Sequence, residues 1–133
     1  MIDIEDKVFD RVAQKLRESI SGICVYGEEV GYPSSFPCST IIEADNSADT
    51  TTQDSSNTEN HANLMYEVNF YSNKVTGKKK QCKEMLAIAD KEFARMGFTR
   101  ITKIPIPMQD ATVYRLTARY TAKVSKNNVI YRR

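Results

Sequence analysis

Few side chains of this sequence have the types and the spacing that catalysis requires. The single histidine, His61, lies at the edge of a polar segment, so a histidine-based triad would depend on a poorly fixed position. Glu28 and Glu29 are adjacent and point apart in an extended segment, unlike the facing carboxylates of a glycosidase. The segment 76–79 (TGKK) lacks the upstream glycine and the following hydroxyl of a phosphate-binding loop. We therefore expect a protein that is not an enzyme and that carries no cofactor.

The three cysteines, Cys24, Cys38 and Cys82, are widely spaced. A zinc site or a redox-active dithiol needs closely spaced pairs, and the sequence has none. We expect reduced, mostly buried thiols that pack as small apolar residues. No metal site is expected.

Composition and charge indicate an ordinary soluble domain. Hydrophobic residues make up 41% of the 133 residues and charged residues 27%, and the length fits one domain. A formal charge of +2 is too small to indicate nucleic-acid binding by itself, because such binding needs a concentrated basic patch. The first residues, MIDIED, hold no basic region before an apolar run, and no apolar segment approaches the length that spans a bilayer. We expect synthesis in a cytoplasm and no membrane contact.

Lys78, Lys79 and Lys80 form the strongest charge feature of the sequence. They fall at the start of a predicted helix, where the helix dipole disfavours cations. Two interpretations stay open at this point. The lysines contact an acidic partner or phosphates, or they extend into water from a solvated first turn.

The segment Ala111–Val124 (ATVYRLTARYTAKV) has the clearest pattern of the chain. Its apolar residues fall on one parity and its basic and hydroxylated residues on the other, which is typical of a half-buried strand. Arg115, Arg119 and Lys123 thus share the open face. Such a strand is about 40 Å long, whereas a domain of this length is about 36 Å across. A strand of that length with an accessible edge is a surface for pairing with another chain unless something covers it, so we expect assembly rather than catalysis.

Similar patterns predict the other elements. Apolar residues at helical spacing predict one helix over 4–20, stopped by Gly22, and a second apolar stripe over 75–96, stopped by Gly97. Strands are predicted at residues 23–26, 38–44, 62–73, 98–106 and 111–124, with a further short one in 129–133. The order is α-β-β-β-α-β-β. Because most strands are joined by short turns, we expect one two-layer α+β domain over residues 1–133, with a mostly antiparallel sheet and both helices packed on one face.

The segment 45–60, between the second and third strands, is almost entirely polar. Every residue in it except Ala48 is Asp, Asn, Ser, Thr, Gln or Glu, so it cannot bury enough apolar surface to offset the entropic cost of ordering. Two hypotheses remain: a solvated hairpin tip, or an arm that becomes ordered against a neighbouring subunit or partner protein. The candidate interface residues of this loop or arm are Asp45, Asn46, Asp49, Gln53, Asp54, Asn57 and Glu59.

The order α-β-β-β-α with a lysine cluster at the second helix looks like the double-stranded-RNA-binding domain. The equivalent lysines of that domain contact phosphates across a groove. That domain ends at its second helix, however, whereas two or three further strands are predicted here. Binding of double-stranded nucleic acid is therefore a minor alternative.

A series of short segments, in order along the chain, resembles a family of small tail proteins encoded by phages and prophages of Gram-positive bacteria. The matching segments are Phe36-Pro37, 41–46 (IIEADN), 66–73 (YEVNFYSN), 77–79 (GKK), 96–100 (MGFTR), Tyr114-Arg115, Arg119-Tyr120 and 130–132 (IYR). The chain looks like the tail terminator, or tail-to-head joining, proteins of this family. The similarity covers most of the chain from Phe36 onward and rests on the run of matches rather than on one motif.

The resemblance implies a virion structural protein without catalytic residues. Such proteins form a hexameric ring that caps the tail tube, ends tube polymerisation and joins the tail to the connector or stopper of the head. The implied partners are copies of the chain, the tube protein, the head connector, and double-stranded DNA that passes through the lumen without sequence-specific binding. The implied location is the tail or neck of a virion assembled in the cytoplasm of a bacterial host.

Three interpretations of the basic residues on the long strand remain open. Arg115, Arg119 and Lys123 line a DNA channel, form an inter-subunit seam, or simply face water. A neighbouring head–tail connector or neck protein of the same particle is the alternative function, because it shares size, origin and ring symmetry.

Overall fold

Two helices and five strands form the fold in the computed structural model, which describes residues 1–49 and 60–130. The elements in chain order are α1 (Glu5–Ser19), β1 (Cys24–Tyr26), β2 (Cys38–Ala48), β3 (His61–Ser72), α2 (Lys78–Met96), β4 (Thr99–Ile106) and β5 (Tyr114–Ser125). The predicted α+β class and the order α-β-β-β-α-β-β are confirmed.

The strands form one sheet in the spatial order β1-β2-β3-β5-β4. β1 runs parallel to β2, and the other neighbouring pairs are antiparallel, as expected from short connections. β5, which follows α2 in the sequence, lies between β3 and β4, so the long strand is paired on both sides and does not itself offer the edge for another chain that its length led us to expect. The α-β-β-β-α part of the chain therefore holds only part of the sheet, which argues against a double-stranded-RNA-binding domain.

The pairing of β3 with β5 places the apolar parity of both strands on the side of the helices. The two strands are in register from His61 opposite Ser125 to Ser72 opposite Tyr114. The buried residues on this side are Leu64, Tyr66, Val68, Phe70, Leu116, Ala118, Tyr120 and Val124. Buried residues of α1 and α2 complete the same core, and Phe93 of α2 stacks on Tyr120 with ring centroids 4.2 Å apart.

Glycines end the second helix and precede it. Gly97 adopts φ 100°, and the next amide, of Phe98, donates to the carbonyl of Phe93, which confirms the predicted stop. Gly77 adopts φ 90° immediately before Lys78. The helix therefore begins later than the apolar stripe suggested, and Val75 is fully exposed rather than part of the core. That part of the prediction was wrong because spacing alone does not locate the turn that starts a helix.

The second strand is longer than predicted. β2 continues past Ala44 to Ala48, with a bulge at Ala44, and its residues from Asp45 onward pair with Ala62–Met65 of β3. The predicted boundary at Ala44 was wrong because a strand is held by backbone hydrogen bonds, and polar side chains at a sheet edge remain in water. Asp45 and Asn46 are thus sheet residues rather than loop residues.

Some predicted features lie outside the described residues. Gln53, Asp54, Asn57 and Glu59 of the polar segment are among them. The last predicted strand is only partly described: Ile130 forms an isolated bridge with Val124, and residues 131–133 lie outside the described ranges.

Glu92 links the two helices. Its carboxylate is buried and accepts hydrogen bonds from Arg11 of α1 at 3.0 Å and from Arg95 of α2 at 2.9 Å. Burial by itself would raise the pKa of this carboxyl group, but the hydrogen bonds and charges of the two arginines hold the pKa below its ordinary value. The pair of contacts fixes the helices against each other above the sheet.

Replacing Glu92 with Gln should lower the free energy of unfolding at pH 7 by about 1–2 kcal/mol, because two charge-assisted hydrogen bonds are lost. Since the folded-state pKa is depressed, this contribution is complete above the unfolded-state pKa of about 4.3 and is lost as the pH falls through the folded-state pKa. The urea unfolding curves of the two proteins should therefore converge as the pH falls below the folded-state pKa of Glu92. The control is Glu18→Gln, an exposed carboxylate on α1. An equal loss in the control, or a difference that persists in acid, would contradict this assignment.

Candidate functional site

The face of the sheet opposite the helices, here called the open face, carries the predicted basic residues. The register places Arg115 opposite Tyr71, Arg119 opposite Glu67 and Lys123 opposite Asn63. Alternate residues of a strand point to the same side, so the three basic side chains form one row along β5. The structure thus brings together the three residues that the sequence pattern grouped.

Asn69 is the centre of a hydrogen-bond network on the open face. Its side-chain oxygen accepts from Arg115 Nε at 3.0 Å and Nη2 at 2.9 Å, and from Thr117 Oγ1 at 2.6 Å. Its amide nitrogen donates to Thr40 Oγ1 at 3.1 Å. Asn69 is 1% exposed, so these partners are what satisfies a buried polar group. The network joins β2, β3 and β5 and fixes the Arg115 guanidinium, which also lies 5.5 Å from the centroid of the Tyr71 ring.

Two of the three basic side chains are neutralised within the chain. Arg119 donates from Nη2 to Glu67 at 3.0 Å, and Lys123 forms an ion pair with Asp49, a largely buried carboxylate. A basic row that is compensated in this way attracts a phosphate backbone less than three free cations would. Whether the row borders DNA, a subunit seam or water stays a prediction.

The polar segment contributes three described candidates with different surroundings. Asn46 donates from Nδ2 to the carbonyl of Ile2 at 2.8 Å and so holds the start of the chain against β2. Asp49 pairs with Lys123, and its amide donates to the carbonyl of His61 at 2.8 Å. Asp45 is exposed and lines a cleft that also includes Met65, Ile101 and Thr121. Only Asp45 thus faces outward as an interface residue would.

The lysine run does not act as one cluster. Lys78 donates from Nζ to the carbonyl of Ala111 at 2.8 Å, which ties the start of α2 to the connection between β4 and β5. Lys79 and Lys80 are exposed, and the first turn of α2 holds no acidic residue. With Lys83 they line a shallow open groove on the outer side of the helix. The two interpretations of the lysine run, a solvated first turn or a contact with a partner, therefore apply only to Lys79 and Lys80.

The cysteines pack as buried or half-buried thiols. Burial raises the pKa of both Cys38 and Cys82 to about 12, so both stay protonated at neutral pH. Cys82 donates weakly to the carbonyls of Phe70 and Tyr114, and Cys24 Sγ lies 2.8 Å from Ser35 Oγ. The three cysteines are free thiols.

The described ranges contain no group of three or more histidine, cysteine or acidic side chains placed to hold a metal ion. His61 is the first residue of β3 and is half-buried. No helix within residues 1–49 and 60–130 combines the length and the apolar character needed to cross a membrane.

Sequence reasoning missed the packing that covers one end of the open face. Val113, Cys38 and Tyr71 form a small second core there, closed by Phe36 and Met108. The Tyr32 hydroxyl also donates to Asp110 at 2.7 Å and ties the β1–β2 connection to the β4–β5 connection. These contacts join loops far apart in the sequence, and the only signal for them was the isolated aromatic residues in glycine- and proline-rich stretches.

Replacing Asn69 with Ala should lower the free energy of unfolding by about 1–3 kcal/mol, because Thr40, Thr117 and Arg115 lose their shared partner. The control is Asn63→Ala, an exposed position on the same face of β3. Thermal and urea unfolding of the two variants provide the measurement. A loss in Asn69→Ala no larger than that of the control would show that the network does not stabilise the sheet.

Comparisons with known proteins give a likeness in structure. No protein-family model matches the chain, and no curated protein matches its sequence. Its structure is similar to a chain in the solved structure titled "Virion of native gene transfer agent (GTA) particle", with a TM-score of 0.60 and 14% sequence identity. The match covers 87% of this chain and 92% of that chain. At this identity, the likeness establishes a shared fold.

Proposed function

We propose that this protein is a structural component of a phage-like virion that forms a ring, caps the tail tube and joins the tail to the head. It carries out no reaction in this role. The observation that carries the proposal is the structural match, which spans nearly the whole length of both this chain and a chain of the virion particle. The ordered run of short segments resembling tail terminator proteins supports the same role and makes it specific.

The sheet supports assembly into a closed ring. β4 lies at one end of the sheet and carries exposed apolar side chains, including Ile101 and Ile104. A surface of this kind suits a heterologous contact between copies, which generates rings when the rotation closes. A hexamer is the ring size that the resemblance implies.

The ion pairs on the open face support a ring lumen through which DNA passes without being retained. Glu67 and Asp49 neutralise Arg119 and Lys123, so the described part of this face does not present its three basic residues as a row of free cations. A passage for DNA in transit requires low affinity, because each neutralised phosphate adds to salt-dependent retention.

Replacing Glu67 with Gln should raise the affinity for a 30-base-pair duplex, because it frees Arg119. We expect an increase of about two- to fivefold and a steeper salt dependence. Fluorescence anisotropy over a range of salt concentrations measures both. Glu84→Gln on α2 changes the net charge equally but away from the open face, and it should have a smaller effect. Tight duplex binding by the unaltered protein at physiological salt would contradict the passage model.

Deleting the coding sequence from the genome that carries it should yield tails of uncontrolled length that are separate from heads. Electron microscopy of the particles, with mass spectrometry of those from the parent strain, provides the measurement. Tails of normal length that fail to join heads would instead identify a connector or neck protein. Normal particles in the deletion strain, or particles from the parent strain without the protein, would contradict a virion role.

A further inference from the structure

Both ends of the sheet leave backbone edges of matching length without a neighbour in the described chain. At one end, β4 pairs only with β5, and its eight residues have a free outer edge within the described ranges. At the other end, β1 covers only Cys38–Thr40 of β2. The remainder of β2, Ile41–Ala48, has the same length as β4 and no strand paired on its outer side among residues 1–49 and 60–130.

We propose that Thr99–Ile104 of β4 in one copy pairs with Ile42–Ala48 of β2 in the next copy, so that the sheet continues from subunit to subunit. This inference rests on the proposed assembly role and specifies its interface. β2 and β4 run in opposite directions in the sheet, because three successive antiparallel pairings separate them. Copies in the same orientation would therefore join through an antiparallel pair, with their helices on the same side.

In one register of this antiparallel pair, residues that point to the same side of the sheet lie opposite each other. Lys103 lies on the helix side of β4, opposite Ala118, and Glu43 lies on the helix side of β2, opposite Tyr66. Placing Lys103 opposite Glu43 puts Ile104 opposite Ile42, and both isoleucines belong to the open face. Opposite charges and apolar pairs at directly opposed positions are the contacts that stabilise antiparallel strands.

The bulges in the two strands preserve this match. β2 has an extra residue at Ala44, and β4 has an extra residue at Ile101. With Lys103 opposite Glu43, the two bulges lie next to each other across the junction. Beyond them, Thr102 and Asp45 share the open face, and Arg100 and Asn46 share the helix side.

The charges at the two edges are complementary. Glu43 lies near Glu5 and Asp3, and burial, together with repulsion by these two groups, raises its pKa. None of the three carboxylates has an ion pair within the described part of the chain. Lys103 on β4 is exposed and likewise has no ion pair there. A second copy in the proposed register brings this cation to the acidic group.

Lys103 and Pro105 are also residue types that proteins use to prevent edge pairing. Pro105 has no backbone N–H, which limits the junction to Thr99–Ile104. In the proposed register, Pro105 falls opposite Ile41, next to the part of β2 that β1 already covers. The Lys103 ammonium disfavours pairing with a strand that lacks an acidic residue at the opposed position, and in the proposed register it lies opposite Glu43. The edge of β4 is therefore selective for another copy of this chain.

Charge reversal tests the junction. Lys103→Glu and Glu43→Lys should each weaken self-association about tenfold, because each places like charges opposite one another. The double variant should return to within about threefold of the unaltered protein, because it restores an opposite-charge pair. Light scattering and sedimentation over a wide concentration range measure association, and circular dichroism confirms folding. Lys103 is exposed, so its single variant tests the junction even if Glu43→Lys loses the Tyr66 hydrogen bond and unfolds.

Disulfide trapping provides a second test in a Cys24→Ser background. A chain with Ile104→Cys mixed with a chain with Ile42→Cys should form a mixed disulfide dimer under mild oxidation. Val75→Cys is the control, because Val75 is more exposed than Ile104 but lies outside both edges.

Three outcomes would overturn the proposed junction: a protein that stays monomeric at the highest concentration, single variants that associate normally, or trapping no better than the control. The deletion phenotype would stand in each case, so failure of this interface is distinguishable from failure of the proposed function.

Discussion

The continuous antiparallel pairing of β3 with β5 is the constraint on which the rest of the structure depends. It is in register from His61 opposite Ser125 to Ser72 opposite Tyr114, so every side chain of the two central strands is assigned to one of two faces. A shift by one residue would exchange those faces completely. On one side the pairing creates the platform on which Phe93 stacks against Tyr120, and on the other it brings Asn69 within reach of Arg115 and Thr117.

The two faces and the two edges have different physical roles. The helix side is filled by a single core, and Glu92 with its two arginines locks the helices above it. The open face is held by internal hydrogen bonds and ion pairs, which leave few unsatisfied charges among its described residues. The unpaired backbone lies instead at the outer strands, and unpaired backbone at a sheet edge is a template for another chain. This distribution supports the proposed assembly role.

The central strands could be predicted from the sequence because one of their faces is buried and the other is not. Period-two alternation identified β3 and β5 and the shared face of Arg115, Arg119 and Lys123. The extension of β2 to Ala48 carried no such signal, because its side chains at the sheet edge are polar and its order comes from backbone pairing. The partners of Lys123 and Lys78 were also beyond prediction, since Asp49 and the carbonyl of Ala111 meet them only through the tertiary fold. Likewise, the spatial position of β5 between β3 and β4 is not encoded in local spacing.

Amide hydrogen exchange, compared between dilute and assembled protein, tests the central claim most directly. If subunits join through their sheet edges, peptides covering Thr99–Ile104 and Ile42–Ala48 should gain protection on assembly, because their outward N–H groups become hydrogen-bonded. Peptides from the exposed side of α2 should exchange at the same rate in both states. Protection gained on the α2 surface, with both strand edges unchanged, would contradict the account.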